Sequence, residues 1–147
     1  MTIPESDLAY LASVYRLQAT LFRDSAEHLT ASLGMSGDPA TPSHFTIPLY
    51  YLVSHAVELL LKAALLRRGT TAVELRQHGL RHDLEAMMSV LLAQGLGLSE
   101  ETQTVVRHLS GQHADHALRY TALLDDGQAT YMPPPAMFWA TLDELLL

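Results

Sequence analysis

Residues Ser43–Asp83 read SHFTIPLYYLVSHAVELLLKAALLRRGTTAVELRQHGLRHD. This stretch decides the fold. From about Pro48 to Arg68 it predicts one apolar helix. Leu52, Val53, Ala56, Val57, Leu59, Leu60, Ala63, Ala64 and Leu66 leave almost no polar surface, so the helix requires burial. Arg67 and Arg68 sit at its negative dipole end, and Gly69 follows as the residue that ends it. Glu58 and Lys62 interrupt the apolar run four residues apart, in the order that favours an intrahelical pair. Such a pair suits either a local contact on a half-exposed helix or a polar cluster between helices. An unpaired carboxylate on so apolar a helix would be costly. The expectation is therefore a polar core cluster in which Glu58 bonds Lys62 and Arg119, with His82 beside it.

Outward from this helix, the pattern is helical throughout. A first helix is predicted from Asp7 to Leu33, with the stripe Leu8, Leu11, Tyr15, Phe22, Ala26, Leu29 and Leu33 and Ser6 as its N-cap. The turn-rich GMSGDPATPS at 34–43 separates it from the second. Residues 70–81 are ambiguous, with one short helical turn expected around Ala72–Gln77. A third long helix is predicted from Asp83 to Gln94, stopped by Gly95 and Gly97. His82-Asp83 at its start reads as a cap more readily than as a catalytic dyad. Ser99 caps a fourth, expected to reach Leu124, with Glu100 and Glu101 favourably placed in its first turn. Pro133-Pro134-Pro135 reads as an extended spacer. Ala136–Leu147 forms a short amphipathic helix that displays Phe138, Leu142, Leu145 and Leu146. It is too short to stand alone and must dock on the bundle or on a partner. The fold class expected is all-α: a four-helix up-down bundle with an additional short C-terminal helix, in a single domain over 1–147.

Composition narrows the function. Apolar residues make up 48% of 147, enough for one core. The absence of cysteine excludes disulfides, thiolate nucleophiles and cysteine zinc sites. A net charge of −7 argues against a broad nucleic-acid surface but leaves room for a small cleft around one phosphate. The N-terminus lacks a basic region followed by an apolar run, so no secretory leader is expected. His55, Glu58 and Lys62 break the longest apolar run, which argues against a membrane span. A cytoplasmic protein is the expectation.

The aromatic residues and Pro48, then HAVELLLKAALLRRG, a short loop and HDLEAMMSVL, together resemble the HEPN superfamily of small helical bundles. The later Leu118-Arg119-Tyr120 extends the resemblance to about two-thirds of the chain. It implies a four- or five-helix bundle and a homodimer. Some such domains are metal-independent ribonucleases of toxin–antitoxin and defence systems. Others are non-catalytic modules that bind partners, and Leu118-Arg119-Tyr120 looks more like these. An antitoxin or other protein, or an RNA or nucleotide, is the partner class implied. No cofactor is.

The family's nuclease signature is an arginine, a polar residue and, after a short interval, a histidine. Arg23–His28, Arg76–His82 and Arg107–His113 fit its loose form, which chance alone would supply about once. RHLSGQH at 107–113 alone also lies on the fourth helix, where the resemblance places the site. It implies Arg107, His108 and His113 as catalytic residues. His113 would remove the 2′-hydroxyl proton, and Arg107 would stabilise charge on the transition state. Residues six apart on an ideal helix, however, point about 120° apart. His113 and His116 also continue the core stripe Val105, Leu109, Tyr120 and Leu124, as hydrogen-bonded core histidines would. With His55 they could approach a metal, but no HExxH or Glu-x-x-His motif accompanies them, and no metal site is expected. No GxSxG elbow, Walker loop or dinucleotide fingerprint occurs.

Overall fold

A computed structural model describes residues 4–32, 46–77, 79–114 and 135–146. These are all-helical, with no strand among them, and form six helices. They are α1 (Glu5–Ser32), α2 (Thr46–Arg67), α3 (Ala72–Leu75), α4 (Leu84–Ala93), α5 (Glu100–Ala114) and α6 (Pro135–Leu146).

α2 is the central element. Leu49, Tyr50, Val53, Ala56, Val57, Leu60, Leu61, Ala63, Leu65 and Leu66 are all buried. α1, α4, α5 and α6 all pack on it. By length and apolar content, Pro48–Arg67 is the one described helix that could cross a bilayer, and two-thirds of it is buried in the bundle. α1 meets α2 through Ala12, Ala19 and Ala26, seven residues apart and essentially inaccessible. Small residues at heptad spacing let the two backbones approach closely, and Leu8, Leu11, Tyr15, Phe22 and Leu29 flank that seam.

The caps are largely those the sequence signals. Gly69 and Gly95 adopt positive φ of 96° and 90° at the ends of α2 and α4. Asp83 caps α4 by accepting the Ala86 N–H at 2.9 Å. Ser99 caps α5, its hydroxyl accepting the Thr102 N–H at 3.2 Å. The single turn α3 is held by a reciprocal capping box between Thr71 and Glu74. Two caps differ from expectation. α1 begins at Glu5, and the Pro4 carbonyl accepts from Asp7 and Leu8, so Ser6 lies inside the helix and not at its cap. Pro135 opens α6 instead of ending a spacer, since its fixed φ suits a first helical position.

Long-range contacts give the helix directions. Arg16 and Arg23 on α1 reach the Leu146 carbonyl and Asp143, so α1 runs against α6. Asp83 and Glu85 at the start of α4 meet Ser110 and Arg107 late in α5, so α4 and α5 are antiparallel. His82 meets Glu58, whereas Arg68 reaches the Gln94 carbonyl, so α2 and α4 run in the same sense. Up-down alternation across the four long helices is therefore not confirmed. It is seen within the pair α4–α5, and residues 70–82 carry the chain back between α2 and α4.

α6 docks on its own bundle. Phe138 and Leu142 are fully buried, and Phe138 stacks edge-on against Tyr50 at 4.9 Å. Of the two placements the sequence leaves open for this helix, the bundle or a partner, the structure shows the first.

Candidate functional site

Glu58 anchors the polar centre of the molecule. The residue is 5% exposed. One oxygen, Oε1, accepts from Lys62 Nζ at 2.5 Å and pairs with His82 Nδ1 at 3.0 Å. The first contact is local, set by four-residue spacing on α2. The second spans 24 residues and fastens the entry of α4 to the middle of α2. A carboxylate can only accept, so the proton lies on Nδ1. The His82 side chain is 53% exposed, so the pair sits at the edge of the core.

A second strand of contacts starts at the next residue. Asp83 caps α4 and accepts from the Ser110 hydroxyl at 3.3 Å, while Ser110 Oγ accepts the Glu85 N–H at 3.0 Å. Glu85 pairs loosely with Arg107 Nε at 3.7 Å, both half-exposed. Arg107 also donates to Gln103 Oε1 at 3.1 Å. Lys62, Glu58, His82, Asp83, Ser110, Glu85 and Arg107 thus follow one another across α2, α4 and α5. Sequence reasoning missed Ser110 and Glu85. The available signal was a buried-stripe position occupied by serine, where a hydroxyl must find a partner.

Of the residues the resemblance implies as catalytic, the side chains of Arg107 and His108 are described, and they face different ways. Arg107 lies on the α4 side of α5. His108 turns toward Tyr50, with ring centroids 6.4 Å apart, and burial lowers its pKa below the ordinary value. α5 includes His113 in its backbone, but the side chain of His113, and Arg119, His116 and the Leu118–Tyr120 stretch, lie outside the described residues. Two other residues singled out in the sequence, Arg23 for a loose match and His55 for a metal, are also placed. Arg23 pairs with Asp143 at 2.5 Å and Glu27 at 3.4 Å. His55 packs against Phe22 and Tyr51, both at 5.0 Å. Among the described residues, no three metal-ligating side chains converge.

A second carboxylate lies near the far end of α5. Glu144 on α6 accepts the Ser99 N–H at 2.7 Å and the Ser99 hydroxyl at 2.8 Å, and also the Thr102 hydroxyl. Burial pushes its pKa up, but these donors outweigh that and hold it below its ordinary value. No protein-family model, curated protein or solved structure matches the chain.

Proposed function

We propose that this protein is a non-catalytic helical module of the HEPN type, whose work is dimerisation and the binding of a partner. One observation carries the reading. The described part of the RHLSGQH segment is engaged in structural contacts: Arg107 is shared between Glu85 and Gln103, while His108 turns the other way into a half-buried ring contact. An arginine serving a phosphorane and a histidine assisting it would instead face one cleft. The Glu58 cluster reads the same way, since its carboxylate ties the entry of α4 to α2 through His82 and is neutralised locally by Lys62.

The alternative is a metal-independent endoribonuclease using Arg107 and His113. The half-exposed Arg107 guanidinium favours it, because a long surface ion pair is weak and readily exchanged for a phosphate. Incubation of the purified chain with RNA in EDTA separates the two. The module leaves the RNA intact. The nuclease leaves cyclic phosphate ends, and His113→Ala or Arg107→Ala abolishes them without loss of folding.

A further inference from the structure

The described arginines fall into two groups. Arg16, Arg23 and Arg107 each reach a partner on their own or a neighbouring helix. Arg67, Arg76 and Arg81 are exposed and make no side-chain hydrogen bond or ion pair among the described residues. Arg68, also exposed, reaches the Gln94 carbonyl at 3.3 Å. The second group is concentrated in one place. Residues 62–82 hold five of the nine basic residues of this acidic chain and one of its sixteen acids. That acid, Glu74, is committed to the Thr71 capping box, whose amide and hydroxyl donors hold its pKa below the ordinary value.

The fold lays this segment out as a strip. Residues 68–82 lead from the end of α2 back to the level of Glu58, which His82 meets at 3.0 Å. The return covers ten residues of α2, or about 15 Å. Ala72 and Leu75 fasten α3 to the core, and Val73 is left 58% exposed. Val73 and Arg76, three residues apart, share one face. The strip is therefore basic, with one apolar knob.

We propose that it docks a short acidic segment of another protein, in which carboxylates flank an apolar side chain. The proposal rests on the module reading and deepens it by naming the chemistry of the partner. Arginine meets a carboxylate as a two-pronged fork, and unpaired arginines give up no existing contact in doing so. A nucleic-acid strand fits less well. Residues 62–82 contain no Phe, Tyr or Trp on which a base could stack. Exposed acids also bound the strip: Asp83 and Glu85 follow Arg81, and Glu100 and Glu101 follow the Gln94 turn that Arg68 touches. A phosphate backbone running past either end meets like charge. An extended peptide of about five residues, at about 3.3 Å each, spans the strip and stops short of them. Exposed ion pairs are individually weak, so binding is reversible and falls with salt.

Fluorescence anisotropy of the full chain tests this with three labelled probes: the pentapeptide Glu-Glu-Leu-Glu-Glu, its counterpart Gln-Gln-Leu-Gln-Gln, and pentauridylate. The acidic peptide should bind saturably and weaken at least about tenfold between about 0.05 and 0.5 M salt, while the glutamine peptide should not bind. Arg76→Glu combined with Arg81→Glu should weaken it at least about tenfold, because attraction becomes like-charge repulsion. Val73→Ser should weaken it severalfold by removing the knob. The melting temperature of each variant should match the parent's, since these side chains are exposed. No saturation by about 1 mM, equal binding of the glutamine peptide, tighter binding of pentauridylate, or an affinity unchanged by the reversals or by Val73→Ser overturns the proposal. RNA cleavage in EDTA would break the module reading instead, and peptide binding is read independently of it.

Discussion

Among the described residues, the carboxylates of Glu58 and Glu144 each join distant elements, and they are satisfied in opposite ways. Glu58, near the centre, is met by Lys62 and His82, one a cation and the other able to become one. Glu144, near the far end, is met among the described residues by neutral donors from Ser99 and Thr102. The first lies within an apolar helix, where the core around it cannot solvate it. The second caps a junction that water still reaches. A deep carboxylate needs countercharge, whereas hydroxyl and amide dipoles suffice at the rim. Both join elements far apart in sequence, and neither requires a substrate to explain it.

The comparison breaks first at Glu58. Glu58→Ala strands Lys62 against the apolar face of α2, and chemical unfolding should show a loss of about 3–5 kcal/mol. Glu144→Ala removes three donors' acceptor at a partly hydrated site. A loss of about 1–2 kcal/mol is expected, scaled down for solvent from the range for charged hydrogen bonds. If the two variants melt alike, depth does not govern the difference.

Acid sharpens the contrast. Glu144 has a lowered pKa in the folded chain, so its contribution is present above its ordinary value of 4.5 and fades as pH falls below it. His108 is a base with a lowered pKa, so the unfolded chain takes up its proton first. Stability should therefore fall as pH drops below 6.5, and His108→Gln should flatten that slope in melts recorded between about pH 7 and 5.5. The smallest effect belongs to Ser54, a fully buried hydroxyl that no described residue bonds. Ser54→Ala should be neutral or stabilise by up to about 1 kcal/mol, since nothing is left unpaired when it goes.

What the sequence disclosed is what local physics governs. The apolar run 48–68, the glycines at 69 and 95 and the cap at Asp83 each declare themselves within a few residues, whereas the capping box of Thr71 and Glu74 lies in a stretch the sequence leaves ambiguous. The Glu58–Lys62 pair is legible for the same reason. The partnership of Glu144 with Ser99 and Thr102 spans more than forty residues and has no periodic signature. The parallel course of α2 and α4 is set by how the residues between them fold back, which no helix pattern encodes. Of the inner alanines of α1, the apolar stripe includes Ala26 but not Ala12 or Ala19, because small residues carry little hydrophobic signal, although close backbone approach depends on them. Docking of α6 was undecided for a related reason: an amphipathic face shows that something covers it, not what.

The central claim is that the Glu58 centre fastens α4 to α2 as structure. A double-mutant cycle of Glu58→Gln and His82→Ala, read by equilibrium unfolding, tests it most directly. The account predicts a coupling of about 1 kcal/mol or more, within the range for residues in one hydrogen-bonded network. Single-mutant effects that add to within about 0.3–0.5 kcal/mol would contradict it, because independent sites behave that way.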